Sequence, residues 1–506
     1  MAWMLQTWDS WTISTQSGRV LMIRAALDRC KSYLAGGLLA LTTFAGAADL
    51  PKSVLQALRS VGIPQSSVGA VVQEVGTARP SLAVNANQAM NPASVMKLVT
   101  TYAALELLGP AYRWKTEVYL DGDNLVLKGY GDPKLNYESF WMLLRSLRGR
   151  GVREIRGDVV LDRSHFAPIA EQPFDSEPFR PYNVRPDALL VNFKSLRFSF
   201  LPEEGKVRIF VEPALPGLEV VNSLKIVEGG CPEGRAFRDL IQASFESAPK
   251  PRAAFTGLYP AQCGERDLNV ALYAPEDYVA GMIRQLWGEM GGTWSGTVRG
   301  GLVPPGARLV YVHDSEPLGE IVRDINKFSN NVMARQLFLT LGAELVGPPA
   351  QAENAARAIR QWLTFKNIAA PELVLENGSG LSRIERISPE HLAALLQAAW
   401  RSPVMPEFVA SLPVVAADGT MKKRLRGERV AGNAHIKTGL LSDARAIAGY
   451  VLDRNGRRHL VVMIVNHPKA PEADAAMDAL LEWTRNSPTV PARSTGSPRG
   501  VSPPGP

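Results

Sequence analysis

Ser94 and Lys97 stand three residues apart in an apolar segment opened by Asn91 and Pro92. On a helix that spacing puts hydroxyl and amine on one face. A serine at a helix start lies among free N–H groups in a positive field, which suits a developing oxyanion. A lysine whose ammonium is destabilised by burial and a second cation can take the serine proton. Ser-x-x-Lys alone is weak, since the chain repeats it at Ser247-Ala248-Pro249-Lys250, where Pro249 disfavours a helix. Two motifs that each occur once strengthen it. Ser329-Asn330-Asn331 offers a hydroxyl to relay a proton and an amide to hold a substrate amide. Lys437-Thr438-Gly439 offers a cation, a hydroxyl and a closely approaching backbone to a substrate carboxylate.

Ser-x-x-Lys, Ser-x-Asn and Lys-Thr-Gly in that order mark the penicillin-recognising serine enzymes. Other chemistries lack their signatures. The six histidines form no His-Glu-x-x-His, so a zinc peptidase has no ligand set. Gly378-Ser379-Gly380 lacks the Gly-x-Ser-x-Gly elbow of histidine-triad hydrolases and reads as a tight turn behind the site. Asp418-Gly419-Thr420 reads as another turn, and His435 as a structural strand residue.

The elements that position these residues follow from periodicity. Val68–Val72 reads as a buried strand, and Ser94–Leu108 as an apolar helix capped by Asn91 and ended by Gly109. Alternating runs at Val152–Leu161, Leu196–Leu201 and Val207–Val211, broken by Pro and Gly, make 115–309 a β-rich insertion of one or two subdomains. Helical pattern returns at Leu318–Leu341, Ala352–Phe365 and Pro389–Trp400. Residues 445–466 read as a hairpin of two buried strands, and Pro471–Arg485 as a last helix. The catalytic part is thus 48–114 plus 310–485, an α/β (α+β) fold, and 486–506 reads as a disordered tail.

At the other end, a basic stretch after Met22, an apolar run from Tyr33 to Phe44 and Ala45-Gly46-Ala47 make a secretory signal over 1–47. The apolar run is short of the ~20 residues a membrane span needs. Residues 1–21 read as an upstream extension ahead of a start at Met22. Export places the mature protein in the periplasm, and its remaining cysteine pair, Cys231 and Cys263, is expected to form a disulfide. A net charge of +7 over 506 residues is too dilute for a nucleic-acid face. It supports only a mild attraction to an anionic wall polymer or membrane surface.

The segment Ser315–Asn331 resembles the low-molecular-mass class C penicillin-binding proteins, the D-alanyl-D-alanine carboxypeptidase/endopeptidases. Gly131-Asp132-Pro133, Asn377-Gly378-Ser379-Gly380-Leu381-Ser382-Arg383 and Asp418-Gly419-Thr420-Met421 add to the likeness, as does the wide gap between Ser94 and Ser329. The resemblance implies a transpeptidase/β-lactamase-like catalytic domain, with inserted domains after the nucleophile helix. It implies Ser94 as nucleophile, Lys97 as its base, Ser329 as proton relay and Asn331 as holder of the substrate amide. Lys437 and Thr438 would receive the terminal carboxylate, on the strand that continues through Gly439 to Leu440. The N–H groups of Ser94 and Leu440 would form the oxyanion hole. Peptidoglycan stem peptides and β-lactams would be the ligands, with no metal or organic cofactor. Leu440 departs from the family, where a hydroxyl residue is common, and Asn330 replaces a frequent Asp. Two rivals share the motifs. A serine β-lactamase would lack the long insertion, and an inactive wall-binding scaffold would show degenerate motifs.

Overall fold

The computed structural model describes residues 49–486 apart from 170–172, 233–234 and 249. The expected export signal, and the tail from 487 onward, lie outside the described residues.

One antiparallel five-stranded sheet carries the chemistry. Its order is Ala434–Leu440, Ala444–Leu452, Arg458–Asn466, Val68–Glu74, Leu82–Val84, so the two ends of the described chain are woven together. Alternate residues of these strands serve two cores, as a period of two demands. Ala446, Ala448, Leu460, Val462 and Ile464 face a core containing Leu98, Val99 and Tyr102 of the helix Lys97–Leu107. Ile447, Val461, Met463 and Val465 face the other side, where they meet the helices Lys52–Ser60 and Asp474–Arg485. The sheet is therefore sandwiched between helical layers.

The helix Lys97–Leu107 is buried almost all round, the mark of a core helix. Truncating Leu98 there would cost roughly 2–5 kcal/mol. The helical pattern read over Leu318–Leu341 is divided into Leu318–Phe328 and Asn331–Val346, with Ser329 and Asn330 at the break. The final helix starts at Asp474, because Ala470–Glu472 forms a 3-10 turn first.

Between these catalytic elements, Lys115–Asp121 pairs antiparallel with Arg308–Asp314, Lys115 opposite Asp314. The chain thus leaves and re-enters at adjacent points, so what lies between can be long without parting the nucleophile helix from Ser329. That stretch has its own core, built on Leu125, Phe140, Phe198, Phe255 and Trp287. It holds a mixed five-stranded sheet and two three-stranded sheets, and also two substantial helices, Tyr137–Gly149 and Pro275–Glu289. Cys231 and Cys263 are joined in a disulfide within it.

Candidate active site

Ser94 sits in a 3-10 turn, Ala93–Met96, and the α-helix proper begins only at Lys97. Asn91 caps the turn, its Oδ1 accepting from Ala93 N at 2.9 Å. The same side chain donates to Ser382 O at 2.9 Å. Its backbone is clasped by Asn466, which accepts from Asn91 N at 2.8 Å and donates to Asn91 O at 2.9 Å. Ala93 takes a left-handed φ of 47°. Two glycines let the surroundings close on it. A Cβ on Gly380, itself at φ 77°, would lie 1.9 Å from Ala93 O, and one on Gly439 would lie 2.6 Å from Pro92 O. This is why the Lys-Thr-Gly strand can run directly beside the serine.

Lys97 is wholly buried. Its Nζ lies 2.9 Å from Ser94 Oγ and 2.6 Å from Asn331 Oδ1, and it also bonds Ser379 O. Burial pulls its pKa well below the ordinary lysine value and Lys437 adds to this, while Glu385 opposes them. Ser379 is presented by the turn Gly378–Gly380, whose two glycines have φ of 69° and 77°. Glu385 organises that turn from beneath. Its Oε1 accepts from the N–H groups of Glu376, Asn377 and Gly378 at 3.1, 3.0 and 2.8 Å, and Oε2 from Gly380 at 2.9 Å. Burial still pushes its own pKa up.

Across the cleft, Ser329 ends its helix in a left-handed conformation, φ 56° and ψ 38°. Asn330 caps the next helix through Met333 N at 3.0 Å, leaving Asn331 to face Lys97. Lys437, also wholly buried, places Nζ 2.8 Å from Ser329 Oγ and 2.8 Å from Thr438 O. Burial, with Arg445 adding, pulls its pKa down to about 7. Thr438 Oγ1 bonds Thr420 Oγ1 at 2.9 Å. The turn bearing Thr420 is fixed by Asp418, which pairs with Lys327 at 2.7 Å, two residues before Ser329. Leu440, at the strand end, is 53% exposed and lies opposite Arg445 in the register.

The structure therefore brings Ser94, Lys97, Ser329, Asn331, Lys437 and Thr438 into one constellation, with Gly439 beside the serine turn and Leu440 at its mouth. Cys231 and Cys263 lie apart from it. His435 pairs with Tyr450 along the strand and bridges to Val414. Glu385 escaped the sequence reading, although the glycines of the turn it holds were visible. Thr420, read there only as part of a turn, reaches the site through Thr438. Such a constellation can activate a hydroxyl, bind an amide and receive a carboxylate.

The chain is similar to proteins whose activity is named. A D-alanyl-D-alanine carboxypeptidase of Actinomadura is 29% identical over 440 residues, spanning 81% of this chain and 80% of its own. The D-alanyl-D-alanine carboxypeptidase DacB of Haemophilus influenzae is 23% identical over 421 residues, 79% of this chain and 85% of its own. The crystal structure of penicillin binding protein 4 (dacB) from that organism superposes with a TM-score of 0.70 at 21% identity. It covers 86% of this chain and 99% of its own, which establishes the penicillin-recognising serine hydrolase fold. The model of the D-Ala-D-Ala carboxypeptidase 3 (S13) family matches residues 50–487, nearly everything described, and the chain accordingly belongs to that family of serine-type carboxypeptidases.

Proposed function

We propose that the protein is an exported, periplasmic D,D-peptidase that cleaves D-alanyl bonds of peptidoglycan stem peptides through an acyl-enzyme on Ser94. It acts as carboxypeptidase or endopeptidase, and is acylated by penicillin. The observation that carries this reading is the environment of Lys97 Nζ. Of its three partners, Asn331 Oδ1 and Ser379 O can only accept, whereas Ser94 Oγ can also donate. A neutral amine keeps two N–H groups for the carbonyls and turns its lone pair to the serine hydroxyl. Burial and the facing Lys437 favour that neutral form.

Ser94 Oγ then attacks the D-alanyl carbonyl as its proton passes to Lys97. The N–H groups of Ser94 and Leu440 receive the oxyanion, and Asn331 holds the substrate amide. The C–N bond breaks as the proton taken up by Lys97 passes through Ser329 to the leaving amine, which leaves Lys97 neutral for the water step while Lys437 keeps its charge. Lys437 and Thr438 hold the carboxylate beside the scissile bond. Water hydrolyses the ester and restores Ser94. Dividing amide hydrolysis in this way replaces one high barrier by two lower ones.

The test is one preparation from the periplasmic fraction, whose mature chain is expected to begin at or within two residues of Ala48. Wild type binds a fluorescent penicillin covalently and releases D-alanine from a pentapeptide, and Ser94→Ala does neither while melting normally. Folded Ser94→Ala protein that labels like wild type would refute the assignment. Rapid penicillin turnover without peptide cleavage would favour the β-lactamase rival instead.

A further inference from the structure

A cleft of about 680 Å³ runs from Ser329–Val332 to the inserted region, where Asn136, Asn192 and Asn269 line it. We infer that this cleft is the subsite for the leaving strand of a cross-linked substrate, holding the second stem peptide while its bond to D-alanine is broken. The inference rests on the D,D-peptidase reading and adds to it a place for a large leaving group.

The argument begins at Ser329, which in that reading hands the proton to the leaving amine, so whatever departs must lie beside it. A carboxypeptidase releases a single D-alanine, which would leave most of this volume unused. Clefts of roughly 300–1,000 Å³ take drug-sized ligands, far larger than a single D-alanine. When the bond joins D-alanine to the side-chain amine of a diamino acid, the leaving group is an entire peptide, and a cleft that starts at Ser329 meets it.

The lining chemistry suits a peptide. Asn136 and Asn330 spend their oxygens on helix caps but keep amide N–H groups to donate to a backbone C=O, and Asn269 can both donate and accept. The rings of Tyr137 and Phe193 offer flat apolar surface between them. One wall is built with unusual backbone. Asn192, Phe193 and Lys194 are consecutive non-glycine residues at φ of 44°, 52° and 50°, a region such residues seldom adopt. Asn192 pins the turn, accepting from Tyr137 N at 3.2 Å and donating to Tyr278 Oη at 2.8 Å. The turn sets Phe193 against the apolar cluster that contains Val332, next to Asn331. The inserted region thereby shapes a surface that begins at the catalytic residues. A preorganised wall of this kind reduces the ordering cost of binding a flexible peptide.

Two variants fill the cleft without touching Ser94, Lys97 or Lys437. Asn269→Trp does so from an exposed strand position, and Glu138→Trp from the first turn of the helix Tyr137–Gly149. Each is compared with wild type for acylation by penicillin, D-alanine release from a monomeric pentapeptide, and cleavage of a D-alanyl cross-linked dimer. Remote contacts made by one substrate alone should affect that substrate alone. The expected result is a fall in kcat/KM for the dimer on the order of tenfold or more, with acylation and pentapeptide cleavage within about twofold of wild type. Dimer cleavage unchanged in both variants, or both substrates falling together in folded protein, would overturn the subsite. A wild-type enzyme that acylates with penicillin but cleaves neither substrate would overturn the D,D-peptidase reading beneath it.

Discussion

The two flanks of the catalytic cleft each bury a lysine, yet they surround it differently. On the helical flank Lys97 has three oxygen partners around its nitrogen, and the turn that supplies one of them is clasped by four N–H bonds to Glu385. On the strand flank Lys437 contacts Ser329 Oγ and Thr438 O. Its third N–H has no protein partner among the described residues. A base must be kept neutral and aimed at one atom, which calls for a rigid, fully occupied shell. An anchor for a carboxylate needs a charge and a free donor. Both groups are lysines, and the shell around each decides which task it can do.

The largest expected effect lies on the helical flank. Lys97→Ala should slow acylation by penicillin by roughly 10²–10⁴-fold, the usual range for loss of a general base. Lys97→Arg should be nearly as poor, because a guanidinium does not give up its proton near neutral pH. The measurement is the second-order acylation rate on folded protein. An arginine variant that acylates at the wild-type rate would mean charge, not basicity, is what this flank supplies.

The strand flank should respond through binding. Lys437→Ala should weaken apparent affinity for carboxylate-bearing substrates, while labelling persists at high penicillin concentration. In the free enzyme Lys437 loses its proton as pH rises through about 7. The kcat/KM for such substrates should therefore fall above about 7. A bound carboxylate favours the ammonium, so the corresponding limb in kcat should sit higher. A kcat/KM profile that stays level across this range would show that Lys437 is not the anchor.

Glu385 offers a smaller and more discriminating perturbation. In Glu385→Gln, Oε1 can retain its three N–H donors, while the new amide faces Gly380 N. Leaving that buried donor unmatched should cost about 1–3 kcal/mol of stability, read as a lower Tm. Because the carboxylate raises the pKa of Lys97, removing its charge should lower that pKa further. The acid limb of acylation should then move to lower pH, opposite to the effect expected if the variant merely loosened the site and hydrated Lys97. The direction of the shift decides between the two.

The flanks also differ in how much of them can be seen in the sequence. Ser94 with Lys97, and Lys437 with Thr438, are legible because one helical turn or one strand step fixes the geometry. Ser329 and Asn331 are legible as types, but the left-handed break that aims them is not, since the helical pattern runs on past it. Glu385 is invisible because its role is to hold N–H groups of a turn, and no periodicity marks a clasp. The helix Tyr137–Gly149 was hidden differently. Its buried Phe140, Leu143, Leu144 and Leu147 carry a clear helical spacing, yet they lie among alternating runs that dominate a β-rich reading. The same is true of Pro275–Glu289, with Pro275 in its first turn and Glu276 and Asp277 beside it. Composition across a whole insertion is a poor guide to its separate elements.

The smallest effect on catalysis should come from the disulfide. Cys231 and Cys263 are 32 residues apart in sequence, and none of the six clustered catalytic residues lies between them. Closing a loop of that length restricts the unfolded chain by on the order of 3–4 kcal/mol in chain-entropy terms. That stabilisation belongs to the insertion, whose core is separate from the one beneath Ser94. Reduction, or Cys231→Ser with Cys263→Ser, should therefore lower the melting temperature and speed proteolysis within the insertion. Acylation of Ser94 at ambient temperature should change little, because the chain enters and leaves the insertion through the paired strands Lys115–Asp121 and Arg308–Asp314. A large loss of acylation in the folded, reduced protein would show that the insertion's stability is transmitted to the catalytic flanks, and would erase the distinction between a rigid core and a separately stabilised insertion.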